Sequence, residues 1–225
     1  MNNKKFIAWD WNGTLLDDTD IVLECVNLAL EEVDCPPISM SVLRETQSAP
    51  FEVLYRAVGV PEEKISILMQ NSDIFHKHYE RRSDRAPLRK GSLFLLKKLK
   101  ANNISNIILS NHIANQIIRL LSLHKIHDLF DDVLAYESPE VQFCDITKGE
   151  RLRRHIETKK LDASNAFIVG DTREEIKIGR DLGLSSVAVT GGILAEHLLR
   201  AEKPDYVIHS LDDLDLVLEE IGFVA

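Results

Sequence analysis

The chain has 225 residues, 44% hydrophobic and 28% charged, with a formal net charge of −9. That balance is too apolar for a disordered chain and long enough for one large domain or a core with an insert. The acidic surface weighs against nucleic acid as a partner; a small anionic substrate stays open, because a cluster of donors and a cation can reverse the field inside a cleft.

Phe6-Ile7-Ala8-Trp9 is a short apolar run that ends at Asp10 and precedes Asn12-Gly13, the pattern of a buried strand delivering Asp10 at its C-terminal end. Ile21 to Glu32 has helical periodicity and stops at Cys35-Pro36-Pro37. Ser39 or Ser41 caps a second helix near Val42 to Thr46, Pro50 breaks it, and Phe51 to Val58 begins a third. Pro61-Glu62-Glu63 opens a long helix expected to run to about Arg82. After Pro87 the pattern alternates. Helices are predicted over 91–100, 112–123, 147–159, 173–182 and 211–221, and strands over 104–109, 133–136, 166–169, 186–189 and 206–208. Alternation of this kind predicts an α/β fold with a parallel sheet and right-handed crossovers. The helical stretch interrupts it after strand one.

No stretch reaches the ~20 apolar residues of a bilayer span, and Met1 to Asp10 lacks the apolar run of a signal peptide. Cys25, Cys35 and Cys144 have no metal-ligand spacing and read as reduced thiols of a cytoplasmic protein. His76 and His78 are two apart on a helix, hence on different faces, and read as structural histidines, as do His124 and His127. Arg81-Arg82 and Arg85 read as a solvated hinge, and Arg44, Gln47 and Arg56 as residues placed to meet a leaving group.

The polar residues gather at strand C-termini, where open α/β sheets bind ligands. Asp10 is a carboxylate that can act as a nucleophile, Gly13 permits an unusual turn close to ligand, and Thr14 offers a hydroxyl. Ser110 and Asn111 suit a phosphate oxygen and would equally serve as a helix cap. Lys148 sits at a helix start, against the dipole, where it either neutralises an anion or is solvated. Asp171 and Glu175 follow another strand; few, hard oxygen ligands suit magnesium.

In order and spacing, Asp10-x-Asn12-Gly13-Thr14-Leu15, Ser110-Asn111, Lys148 and Gly170-Asp171-Thr172-x-x-Glu175 resemble the four motifs of the haloacid dehalogenase superfamily. Val187 to Gly192 and Pro204 to Ile208 are similar to the tail of its phosphoglycolate-phosphatase-like branch. The resemblance implies a Rossmann-like parallel sheet with helices on both faces, built from residues 1–16 and 86–225, and a helical cap over 17–85. It implies Mg2+ as cofactor, held by Asp10, Asp171, the carbonyl of Asn12, and Glu175 directly or through water. It further implies Asp10 as nucleophile toward a small phosphorylated metabolite, with Ser110 and Lys148 on the transferring oxygens. A monomer or homodimer without nucleic-acid or membrane partners is expected.

The pattern breaks at Asn12, where most of the family's phosphatases carry an acid-base Asp. An amide cannot move a proton at neutral pH, and losing such a group costs ~10² to 10⁴ in rate. Three readings follow: a substrate with a good leaving group; replacement by His112, Asp17 or Asp18; or an altered Asn-Gly step. A catalytically impaired phosphate-binding or regulatory protein, and a dehalogenase-type or phosphonatase-type hydrolase, are the alternatives.

Overall fold

The computed structural model describes residues 4–46, 51–70, 73–138 and 146–224. Six strands form one parallel sheet in the order β3-β2-β1-β4-β5-β6. They are β1 (Phe6–Trp9), β2 (Ser105–Ile113), β3 (Asp132–Tyr136), β4 (Ala166–Gly170), β5 (Ser185–Val189) and β6 (Tyr206–Ile208). Helices α6 (Ser92–Ala101), α7 (Ala114–Leu123), α8 (Lys148–Lys159), α9 (Arg173–Leu182), α10 (Glu196–Ala201) and α11 (Leu211–Glu220) accompany them. This is the Rossmann-like α/β architecture that the alternating pattern predicts.

β1 and β4 are buried along their whole length, which is why both read as unbroken apolar runs rather than alternating ones. Trp9, the last residue of β1, pairs with Ile108 on one side and Val169 on the other, so Asp10 leaves the sheet between Leu109 of β2 and Gly170 of β4. The strand order turns between β1 and β4, and ligands bind at that crevice in sheets of this kind. Asp10 and Asp171 stand on its two sides.

Between β1 and α6 lie α1 (Thr19–Glu32), α2 (Met40–Thr46), α3 (Phe51–Ala57), α4 (Glu62–Gln70) and α5 (Asp73–Glu80), with no strand among the described residues. The chain enters and leaves this helical stretch through one neck. Asp17 N donates to Pro87 O and Arg89 N to Leu15 O, each at 2.8 Å, and Leu16 bridges Leu88 antiparallel. Arg82 and Arg85, read as solvated, brace the neck on Glu24 at 2.8 and 2.6 Å. The largest apolar cluster runs unbroken from Ile7 and Trp9 through Trp11, Leu15 and Leu16 to Leu43, Leu54 and Tyr79.

The helix expected from Pro61 to about Arg82 is described in two stretches, α4 and α5, with Asn71 and Ser72 outside the described residues. One boundary differs from expectation. β2 continues through Ser110, Asn111 and His112 to Ile113, past a register shift against β3, and α7 starts at Ala114 instead of 112. Helix propensity in 112–123 carried no mark of the four-residue extension, because tertiary pairing with Tyr136 decides it. The short helix α10 had no counterpart in the sequence reading.

Candidate active site

Asp10 leaves the end of β1 with its amide bonded to Val169 O at 2.9 Å and the residue 7% exposed. Lys148 Nζ donates to its Oδ1 at 2.6 Å and contacts Glu175 Oε1 as well. Lys148 is the first residue of α8, whose N-cap Thr147 accepts from Glu150 N at 3.2 Å. A cation opposes the dipole there, yet the side chain is 3% exposed. Burial pulls the lysine toward neutrality; Asp10 and Glu175 outweigh burial and hold its pKa above the ordinary value.

The carboxylates outnumber that one ammonium. Burial pushes Asp10 well above the ordinary range, with Lys148 pulling back and Glu175 and Asp171 adding to the rise. Burial likewise raises Asp171, to about 6, and Glu174. Burial raises Glu175 too, but Lys148 and Thr172 more than offset it, and its pKa is lowered. Such an excess of buried negative charge suits a divalent cation.

Asp171 follows β4 and is fully buried. Its Oδ1 accepts from Thr14 Oγ1 at 3.1 Å and its Oδ2 from Ile193 N at 2.6 Å. Thr14 Oγ1 also stands 3.5 Å from Asp10 Oδ2, so one hydroxyl spans the crevice between the two acids. Gly13 and Gly192 close on the same carboxylate. A Cβ at either would meet Asp171 Oδ2 at 2.2 or 2.1 Å, and Gly13 also has φ +70°. Gly192→Ala is therefore expected to displace Asp171 and weaken divalent-cation affinity at least ~10-fold; titration calorimetry with Mg2+ measures it, and wild-type affinity in the variant would refute the crowding argument.

Glu175 is committed on both oxygens. Oε1 meets Lys148, and Oε2 accepts from Thr172 N at 3.2 Å and Thr172 Oγ1 at 2.5 Å, a capping box that starts α9. Ser110 Oγ accepts from His112 N at 3.1 Å, a contact that leaves its hydroxyl proton unused. Asn111 Nδ2 instead donates to Glu174 Oε2 at 2.7 Å, and Arg151, over the Tyr136 ring at 4.1 Å, binds Ser110 O at 2.8 Å and Asn111 Oδ1 at 3.2 Å. Neither Ser110 nor Asn111 caps a helix, since Ile113 is the N-cap of α7. Asp10, Asn12, Ser110, Asn111, Lys148, Asp171 and Glu175 line one cavity of about 560 Å³, which also reaches α1, α3 and α5.

The sequence matches the haloacid dehalogenase-like hydrolase family over residues 7–189. The chain belongs to this family. Like other haloacid dehalogenase-like hydrolases it has full-length relatives. A phosphoglycolate phosphatase of Vibrio vulnificus is 26% identical over 95% of this chain and 96% of its own. Another, of Caulobacter vibrioides, is 23% identical over 94% and 90%. Among solved structures, a haloacid dehalogenase-like hydrolase from Streptococcus pneumoniae covers 96% of this chain and 100% of its own, with TM-score 0.79 and 23% identity.

As a haloacid dehalogenase-like hydrolase the chain departs from the common pattern at Asn12, and the structure shows what holds that amide. Nδ2 donates to Asp18 Oδ2 at 2.7 Å and Tyr79 Oη at 2.6 Å; Tyr79 donates in turn to Asp18, and Gly13 N to Asp18 Oδ1 at 2.7 Å. Burial raises the pKa of Asp18, with Tyr79, Asn12 and Gly13 offsetting part of the rise. Of the three acid-base candidates, Asp18 and His112 line the cavity, whereas Asp17 is exposed and outside it.

Residues expected to meet a leaving group do other things. Arg44 donates to the carbonyls of Gly191 and Gly192, both at 3.0 Å, and Arg56 pairs with Glu52 and Glu62. Gln47 and Cys144 lie outside the described residues. Tyr79 and Glu80 escaped the sequence reading. The signal for Glu80 was its spacing of four from His76, which puts both on one helix face; pairing His76 with His78 hid it.

Proposed function

We propose that the protein is a Mg2+-dependent phosphomonoesterase acting on a small phosphorylated metabolite through an aspartyl-phosphate on Asp10. The observation that carries this reading is the 2.6 Å contact of a buried Asp10 with a buried Lys148, both lining one cavity. Phosphoryl transfer needs positioning and charge neutralisation more than covalent help.

The donor set fits magnesium: the carboxylates of Asp10 and Asp171 and the main-chain carbonyl of Asn12 are hard oxygen ligands in small number, with Glu175 acting through water. When bound, the ion neutralises charge developing on the phosphoryl oxygens. Lys148 holds Asp10 Oδ1, which leaves Oδ2 to attack phosphorus in line as the bond to the leaving oxygen breaks. Ser110 donates its hydroxyl proton to a transferring oxygen, and the Lys148 ammonium balances the others. Water then attacks phosphorus, the bond from phosphorus to the Asp10 oxygen breaks, and the protons of the water leave with the released phosphate as the carboxylate is restored. Residues 17–85 act as a cap that excludes bulk water until attack is complete.

Asn12 restricts the first step, because it cannot protonate the departing oxygen. Neither remaining candidate takes over: both oxygens of Asp18 accept hydrogen bonds from the protein, and His112 turns its Nε2 to Glu80 Oε1 at 3.1 Å. The reading that follows is a substrate whose leaving group is stable unprotonated, an acyl or aryl phosphate. Purified protein is assayed for Mg2+-dependent phosphate release from acetyl phosphate, para-nitrophenyl phosphate and 2-phosphoglycolate. The first two are expected to exceed the third by ~10²-fold or more. Equal rates would remove the leaving-group argument. Binding of phosphate with no turnover of any would favour a regulatory protein, and halide release from a haloacid a dehalogenase.

A further inference from the structure

His76 and Glu80 stand one turn apart on α5, and His112 lies near the end of β2. One ligand atom from each lies within 4.8 Å of the others, and no other three His, Cys, Asp or Glu side chains among the described residues do this. His112 is 7% exposed, and its Nε2 is buried without a hydrogen-bond partner. That nitrogen sits 3.1 Å from Glu80 Oε1, close enough to pair but not aligned for a hydrogen bond. Glu80 Oε2 is likewise buried without a hydrogen bond, with Arg119 Nη2 at 3.7 Å. The imidazole rings of His76 and His112 face each other nearly in parallel, 6.3 Å between centroids.

Two ligand atoms that approach without donating to each other are the geometry of a shared cation. With bonds of ~2.0–2.1 Å in a tetrahedral site, neighbouring ligand atoms lie ~3.3 Å apart. Two imidazole nitrogens and a carboxylate oxygen select a borderline divalent ion of the zinc type over magnesium. The carboxylate of Glu80 is backed by Arg119, the kind of outer partner that orients a ligand. Both histidines line the large cavity, so a fourth position would face it.

We propose that His76, Glu80 and His112 form a second divalent-cation site, of zinc type, separate from the Asp10 and Asp171 carboxylates. It takes two ligands from the helical stretch and one from the sheet, and a bound ion would tie α5 to β2.

The test strips the full-length protein of metal, saturates it with Mg2+, and titrates Zn2+ and Co2+. Bound metal is read by equilibrium dialysis with elemental analysis, and coordination by the visible Co2+ spectrum. The expected result is one retained equivalent with the strong absorption of four-coordinate Co2+. His76→Gln and Glu80→Gln should each weaken it at least ~10-fold, while Asp171→Asn keeps it. His76 is half-buried, so His76→Gln does not depend on the fate of a core substitution at His112. Three results would overturn the proposal: no zinc retained in excess Mg2+, wild-type zinc binding in both triad variants, or zinc lost only in Asp171→Asn.

Discussion

Asp10→Asn is expected to lower phosphate release from acetyl phosphate by ~10³-fold or more, since an amide of the same shape has no nucleophilic oxygen anion. The change removes one of the two carboxylates that hold the Lys148 ammonium, and Glu175 keeps it in place. Phosphate should bind the variant at least as tightly as the wild type, because a negative charge that repels it is gone. Single-turnover kinetics and phosphate titration calorimetry separate the two effects. A variant that keeps its turnover would show that the nucleophile is elsewhere, or that the activity belongs to a contaminant.

Asn12→Asp is expected to raise turnover of alkyl phosphates by ~10² to 10⁴-fold while changing acetyl phosphate little. The gain depends on Asp18. The Asn12 amide donates to Asp18 at 2.7 Å, so an aspartate there would set a second, half-buried carboxyl beside the buried one of Asp18. Like charges so close cannot both ionise, and the pair would keep one proton above the ordinary carboxylate range, available for a departing alkoxide. The ratio of kcat for 2-phosphoglycolate to that for acetyl phosphate reads the effect directly. If the ratio does not move, position 12 does not face the leaving oxygen and the impaired-enzyme reading gains ground.

The middle of the sheet was legible because β1 and β4 are buried along their whole length and therefore spell themselves as apolar runs, and because each is followed by a carboxylate that has no place in a core. Asp10, Lys148 and Asp171 could be singled out for the same reason: a charge set against an apolar run or a helix dipole costs stability unless something nearby balances it. The extension of β2 was hidden, because Ser110, Asn111 and His112 are extended only by virtue of what Tyr136 and Arg151 offer them from distant stretches of chain. The double engagement of Glu175 was half visible. Thr172-x-x-Glu175 is a capping-box spelling, but that the same carboxylate also meets Lys148 depends on where α8 docks. The clasp of Asn12 by Asp18 and Tyr79 spans more than sixty positions, and nothing in either local sequence announces it.

The neck formed by Leu15 to Asp17 against Pro87 to Arg89 brings the two ends of the helical stretch together. Insertions whose ends lie close together are tolerated, because the host chain need not be rerouted to accept them. Evolution or an engineer could exchange this appendage for one of another length while the sheet, its register and its charged crevice stayed as they are. The replacement would have to bring an apolar underside of its own to cover Trp11, Leu15 and Leu16, which share one cluster with the present helices. Choice of substrate could then drift quickly while the chemistry beneath it stood still.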